Sequence, residues 1–276
     1  MKIEEKGKNI ELSGVSCLSL KETLDCGQAF RWEPLEDGTW QGMAYNKYLK
    51  LRQTQDKIIF FNTTKEDFYN IWYNYFDLDR DYEKIVSTLS EDPILKDAAD
   101  FGKGIRILKQ EPWETLCSFI ISQNNNIPRI KGIIGRLCEN FGEKSQNGFY
   151  TFPSAEKIAS LSIEELGVIR SGFRAKYISD AAKRVISGEI DLENLKTLDT
   201  DTARNELMKI YGVGKKVADC MLLFGLSHIN AFPEDVWIKR AMEKLFGGNL
   251  PSCAKGYEGI AQQYIFHYAH TTKLDI

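Results

Sequence analysis

The chain of 276 residues is 43% hydrophobic and carries 36 basic against 39 acidic side chains, a formal net charge of −3. This apolar fraction excludes a disordered chain, and the length fits two or three packed lobes rather than one. No apolar run approaches the roughly 20 residues of a membrane span, and the start Met1-Lys2-Ile3-Glu4-Glu5-Lys6 lacks the apolar stretch of a signal peptide, so an intracellular location is expected.

The charge is unevenly spread. Residues 1–100 hold 13 basic and 19 acidic side chains, and residues 101–276 hold 23 and 20, so a locally basic surface belongs to the second part. Cys17, Cys26, Cys117, Cys138, Cys220 and Cys253 form no C-x-x-C pair, which argues against disulfides, zinc and iron–sulfur clusters. His267 and His270 lie three apart and read as ordinary side chains rather than metal ligands.

In chain order, residues 8–62 read as antiparallel β structure. Asp37-Gly38 marks a turn, followed by the aromatic and β-branched runs Thr39–Tyr45, Tyr48–Arg52 and Ile58–Phe61. From about Lys65 the period becomes helical, with Phe68, Ile71, Trp72, Tyr75 and Phe76 on one face. Asp77-x-Asp79-x-Asp81 resembles the start of a calcium loop, but Tyr82 and Thr88 stand where that loop needs Gly and Glu. Asp81 is instead expected to cap a helix. Ser162-Ile163-Glu164-Glu165 fits a capping box, Pro153-Ser154 a helix entry, and Gly142 and Gly188 helix exits. The expected class is α+β: a β-rich part over residues 1–105, with helices at its end, and a helical part over 106–276.

The most informative stretch is Leu207–Leu226. A helical run is expected to end at Tyr211, Gly212-Val213-Gly214 forms a tight hairpin, and a second helix opens near Lys215. Such a helix start binds phosphate through free amides. The spacing is not that of a P-loop or a Rossmann fingerprint; it fits a helix–hairpin–helix, or an ordinary αα-hairpin. Lys215 should pair with Asp219 on a solvated surface. Lys216 shares a face with Cys220 and Leu223. There, desolvation and the helix start both favour a neutral, nucleophilic amine, although a snorkelling structural lysine fits the same pattern. Asp235, after Pro233, is placed to cap the next helix; it could also hold a carboxylate near the lysine.

Gly212-Val213-Gly214-x-Lys216-Val217-Ala218-Asp219-Cys220, followed by Pro233-x-Asp235-Val236, resembles the helix–hairpin–helix DNA glycosylases. Four more segments narrow the resemblance to 8-oxoguanine DNA glycosylases: Gly27-Gln28-Ala29-Phe30-Arg31-Trp32, Ser122-Gln123-Asn124-Asn125-Asn126-Ile127-Pro128-Arg129-Ile130, Gly172-Phe173-Arg174-Ala175-Lys176-Tyr177, and Ala261-Gln262-Gln263-Tyr264-Ile265-Phe266. The resemblance implies a β-rich domain similar to half of a TATA-binding protein, packed on a two-lobed helical body.

It also implies a bifunctional enzyme on double-stranded DNA that excises 8-oxoguanine, preferentially opposite cytosine, and cuts the strand by β-elimination. The base would leave the stack before its glycosidic bond is reached. Lys216 would be the Schiff-base nucleophile and Asp235 the charge stabiliser. Gly27, Cys220, Gln262 and Phe266 would form the lesion pocket. Asn124, Arg129 and Arg174 would hold the widowed cytosine, and Phe173 would wedge into the gap. Gly212, Val213 and Gly214 would clamp the backbone.

No cofactor is implied, but the carbonyls of Met208, Ile210 and Val213 could hold a structural monovalent or divalent cation. One monomer is expected to suffice. Trp237 departs from the family, which often has a phosphate-touching histidine there, and Phe173 replaces a tyrosine. Read without the resemblance, Gly27 is a turn glycine, Phe266 a core aromatic, and the asparagine run a polar helix break. The alternatives are a glycosylase of the same fold for another damaged base, and a non-catalytic helix–hairpin–helix DNA-binding protein.

Overall fold

The computed structural model of the chain describes residues 1–272. Its N-terminal part is one antiparallel sheet of six strands: β1 (Lys2–Lys6), β2 (Asn9–Ser13), β3 (Trp32–Pro34), β4 (Thr39–Ala44), β5 (Lys47–Gln53) and β6 (Lys57–Phe61), in the spatial order β1-β2-β6-β5-β4-β3. The register places Ile10 beside Phe60, Phe60 beside Leu51, and Leu51 beside Trp40. Opposed residues share a face, so these four buried side chains form one apolar row across the sheet. A helical stretch from Lys65 to Tyr75, with a π-helical turn at Phe68–Trp72, covers that row. Phe60 meets Phe68 and Phe76 edge to face, and the Trp32 indole N–H donates to the Tyr75 hydroxyl at 2.7 Å.

The expected runs at 39–45, 48–52 and 58–61 are strands. Three strands, β1, β2 and β3, lie outside them. β1 is mostly charged and pairs on one side only, and β3 is three residues long. A short helix, α1 (Leu20–Leu24), interrupts the region read as β. Asp81 accepts from the Lys84 amide at the start of α2 (Tyr82–Leu89). The neighbouring Asp77 is buried between Arg80, Lys109 and the Tyr82 hydroxyl, which leaves no calcium loop.

The helical body contains α3 (Pro93–Phe101), α4 (Pro112–Ser122), α5 (Ile127–Phe141), α6 (Arg174–Ile186), α7 (Thr200–Leu207), α8 (Lys215–Gly225), α9 (Val236–Phe246) and α10 (Glu258–Thr272), with shorter helices between. The capping box at Ser162 and Glu165 forms with both of its hydrogen bonds, and Gly142 ends α5. At the centre, α4 packs on α8. Both helices are buried nearly all round, and Phe119 stacks on Phe224 at 5.3 Å and 15°. The buried residues of α2 and α3 join this helical core rather than the sheet's. No helix among the described residues is long and apolar enough to cross a membrane.

Two polar knots tie sheet to body. Gln28 is fully buried and uses its whole amide: Nε2 donates to the carbonyls of Thr23 and Arg106, and Oε1 accepts from the Leu108 amide. Its own carbonyl accepts from Gln110 Nε2. Arg106 donates to the carbonyls of Ser16, Cys17 and Asp77, with its guanidinium over the Tyr82 ring. Such satisfied buried networks fix one arrangement.

The run before the hairpin differs from expectation. Helix α7 ends at Leu207, and i→i−3 bonds from Lys209 and Ile210 tighten the chain before Tyr211. The Lys215–Asp219 pair forms at 2.9 Å, yet Asp219 is not on a solvated surface: it is 0% exposed and also bound by Arg204. The helical period shows only which residues share a face; it does not show that α7 brings Arg204 against it.

Truncating the buried Asp219 removes its charge-assisted hydrogen bonds to both Arg204 and Lys215 and leaves a cavity in their place. Asp219→Ala is therefore expected to lower unfolding free energy by about 3 kcal/mol, read as a lower urea midpoint with an unchanged m-value.

Candidate active site

Lys216 owes its place to the hairpin and to α4. Gly212 has φ +81°, and a Cβ there would lie 2.4 Å from the Tyr177 ring, so only glycine allows the turn to close against α6. The Tyr211 amide donates to Asp180 on α6 at 2.8 Å. Gly214 begins α8 without a side-chain cap, which leaves its first-turn amides available to an anion. One residue into the helix, the Lys216 side chain is half-buried. Its Nζ sits 3.5 Å from Ser122 Oγ and 5.5 Å from the centre of the Phe119 ring.

Asp235 does cap α9, accepting from the Ile238 amide at 2.8 Å. Its carboxylate also borders the same cavity as Lys216. The capping role and a role at the cavity are thus compatible.

That cavity, of about 60 Å³, gathers residues from five segments: Cys26 and Gly27; Phe119; Lys216, Cys220 and Phe224; Pro233 and Asp235; Gln262, Gln263 and Phe266. All four residues expected in the lesion pocket are therefore present, beside both expected catalytic residues. Gly27 has φ +82° and faces Phe266. Its loop is held by Gln263, whose Nε2 donates to the Cys26 carbonyl at 2.9 Å. Gln262 is buried, and its Oε1 has no hydrogen-bond partner among the described residues. Burial pushes the Cys220 thiol up to about 11, partly opposed by the Lys216 amine, and the Cys26 thiol up to about 12. Both are thiols, not thiolates, at neutral pH.

Next to the cavity runs an open groove of about 640 Å³, lined by Ser122–Asn125, Phe173, Gly214, Lys216, Val217, residues 234–237 and Lys239. Lys216 and Asp235 border both spaces.

The residues expected to hold the partner base behave less uniformly. Asn124, with φ +46°, and Arg129 are exposed. Phe173 is 53% exposed at the groove, as a wedge requires. Arg174 is buried, and its guanidinium donates to the carbonyls of Gln123, Asn124 and Ser171. Burial, and then the charge of Arg129, lower its pKa. In this state it holds the asparagine loop instead of presenting a free edge. Asn125 and Asn126 are indeed helix-break residues: one closes on the Ile121 carbonyl, the other caps α5. Trp237 projects into the groove and meets His270 edge to face, and His270 stacks on Phe266 at 5.6 Å.

Sequence reasoning missed Gln28, Gln110 and Gln263 as the supports of the Gly27 loop. The one available signal was a glutamine inside the apolar run Gly27-Gln28-Ala29-Phe30.

Comparison with known proteins agrees with this geometry. Residues 12–116 match the 8-oxoguanine DNA glycosylase N-terminal domain, and residues 117–255 match the HhH-GPD superfamily of base excision DNA repair proteins. The fold superposes on the crystal structure of Clostridium acetobutylicum 8-oxoguanine glycosylase/lyase, in complex with double-stranded DNA containing cytosine opposite 8-oxoG, with a TM-score of 0.94, 40% identity and 99% of each chain covered. A probable N-glycosylase/DNA lyase of Methanothermobacter thermautotrophicus is 35% identical over 72% of this chain and 74% of that protein. The N-glycosylase/DNA lyase of Saccharomyces cerevisiae is 38% identical over 51% of this chain, a match that spans 42% of the yeast protein. A chain matched over this length by both domains, and built around this cavity, belongs to the 8-oxoguanine DNA glycosylase family within the HhH-GPD superfamily.

Proposed function

We propose that this chain is a bifunctional DNA glycosylase and lyase that removes 8-oxoguanine from duplex DNA, preferentially opposite cytosine. One observation carries the reading. Lys216 and Asp235 stand where a small pocket with an unpaired amide oxygen meets a larger groove. An extruded base in the pocket and its backbone in the groove would place the sugar between them.

The chemistry follows from that placement. The Lys216 lone pair bonds to C1′ as the C1′–N9 bond breaks, and the electron pair leaves with the base, which takes up a proton. Transfer of a proton from nitrogen to O4′, as the C1′–O4′ bond opens and its electron pair stays on O4′, gives a protonated Schiff base and a free 4′-hydroxyl. Removal of a C2′ proton then expels the 3′-phosphate. The Asp235 carboxylate opposes positive charge developing on the sugar. The amine serves as nucleophile and electron sink, so the reaction itself requires no cofactor.

Base selection is assigned to the pocket. The Gly27 carbonyl accepts the N7–H that guanine lacks, a contact of about 1–3 kcal/mol in a dry site. Phe266 and Cys220 sandwich the ring, and Gln262 pairs with its Watson–Crick edge. A cavity of about 60 Å³ holds only a few waters, so Phe266 shifts when a purine enters. Phe173 wedges the duplex, Asn124 and Arg129 meet the widowed cytosine, and Arg174 either secures their loop or swings to join them. Gly212, Val213 and Gly214 clamp the backbone. The carbonyls of Met208, Ile210 and Val213 offer the hard oxygens that suit a structural cation; that of Ile210 already accepts the Val213 amide and keeps a second lone pair. The working unit is a monomer, with residues 1–105 supplying the Gly27 loop and residues 106–276 the reactive groups.

The test is single-turnover base release from duplexes carrying 8-oxoguanine or an alkylated purine. The native protein is expected to release 8-oxoguanine at least tenfold faster, and Lys216→Gln to lose at least ~10³-fold. Faster release of alkylated purines would reassign the lesion. Salt-sensitive binding without release would make the chain a DNA clamp.

Asp235→Asn separates capping from charge. Asparagine caps as well as aspartate, so the melting temperature should hold, while excision falls roughly 10²-fold.

A further inference from the structure

The amine of Lys216 is not held by its own helix alone. Ser122, the last residue of α4, lies 3.5 Å away across the α4–α8 contact. Its hydroxyl proton is already committed, because Oγ donates to the Phe119 carbonyl at 2.8 Å. Towards Lys216 that oxygen can therefore only accept. A freely turning hydroxyl could donate into the amine's lone pair and mask the nucleophile; this one is prevented from doing so. The Phe119 ring lies on a second side of Nζ, and Cys220, one turn along α8, lines the same small pocket as the lysine. The remaining side faces the pocket and the groove that meet at Lys216.

We infer that Ser122 is a positioning residue for the reaction: by accepting one N–H of Lys216 it turns the amine's lone pair out of the protein and towards the groove. The inference rests on Lys216 being the nucleophile. A neutral amine has two N–H bonds and one lone pair, so anchoring an N–H restricts where the lone pair can point. The anchor is itself rigid, since it closes the end of a buried helix. Ser122 touches neither base nor phosphate in this scheme. It acts on the amine, and so on every step in which the amine attacks C1′.

That last point supplies the test. The same amine attacks C1′ of a nucleotide carrying 8-oxoguanine and the C1′ aldehyde of a ready-made abasic site. Single-turnover base release is measured on the 8-oxoguanine duplex, and borohydride trapping on the abasic duplex, for native protein, Ser122→Ala and Ser122→Thr. Ser122→Ala is expected to slow both reactions by a common factor of roughly five to ten, with DNA affinity and melting temperature unchanged. Ser122→Thr, which keeps the acceptor, should return both to within about twofold of native.

A native rate for Ser122→Ala would overturn the inference. So would a loss confined to the 8-oxoguanine duplex, which would place Ser122 in base recognition, or an equal loss in the threonine variant. If Ser122→Ala melts early, Ser122→Cys preserves the volume with a weaker acceptor and is expected to show the same paired slowing. The native protein and Lys216→Gln separate the two readings. Trapping of the native protein alone, together with an unaffected Ser122→Ala, removes the role of Ser122 and leaves the nucleophile standing; no adduct with the native protein removes both.

Discussion

The contact between α4 and α8 is the constraint on which the site depends. Phe119 stacked on Phe224 locks the two helices together inside the helical core. From that lock follow the position of Lys216 over the Phe119 ring, the burial of Cys220, and the approach of Ser122 to the amine. The hairpin contributes the other end. Gly212 lets the chain turn beneath Tyr177, and α8 starts where its uncapped amides and Lys216 share one edge of the groove. The placement of Lys216 is a product of apolar packing before it is a matter of electrostatics.

The sheet makes a more indirect contribution. Its core is separate from that of the helices, and what crosses the seam towards the cavity is the loop at Gly27. Gln28 and Gln263 hold that loop with four side-chain hydrogen bonds to main chain, so its carbonyl is part of a rigid frame. Rigidity suits the lesion-reading role proposed for Gly27. Distinguishing 8-oxoguanine from guanine by a single N–H requires an acceptor that cannot adjust to its absence. The net charge of −3 is no obstacle to DNA, because Lys216, Lys239 and the uncapped start of α8 border one groove.

Much of this was legible in the sequence where local rules dominate. The aromatic and β-branched runs between 39 and 61 read as the strands they are, the Ser162 capping box forms as written, and Gly-Val-Gly before Lys216 announces the hairpin. Lys216 and Asp235 stand out by helix geometry and capping, whereas Gly27, Cys220, Gln262 and Phe266 are legible only through resemblance. Their residue types alone equally allowed a snorkelling lysine, a helix cap and core aromatics. What stayed hidden depended on partners distant in sequence. Strand β1 is too charged to read as a strand until β2 lies beside it. Asp219 looked like half of a surface pair because Arg204 reaches it only in the fold. Arg174 carried no sign that three carbonyls would enclose it. Gln28 is the clearest case: its importance lies in bonds to residues 78 to 80 positions away.

The central claim is that the Lys216 amine forms the covalent bond to the sugar. It is tested most directly by reducing the reaction of native protein and an 8-oxoguanine:cytosine duplex with borohydride, digesting the adduct, and locating the added mass by peptide sequencing. The account predicts a single modified peptide with the deoxyribose remnant on Lys216. A remnant on Lys215, on Lys239 or on the N-terminal amine, or base release with no adduct at all, would contradict it.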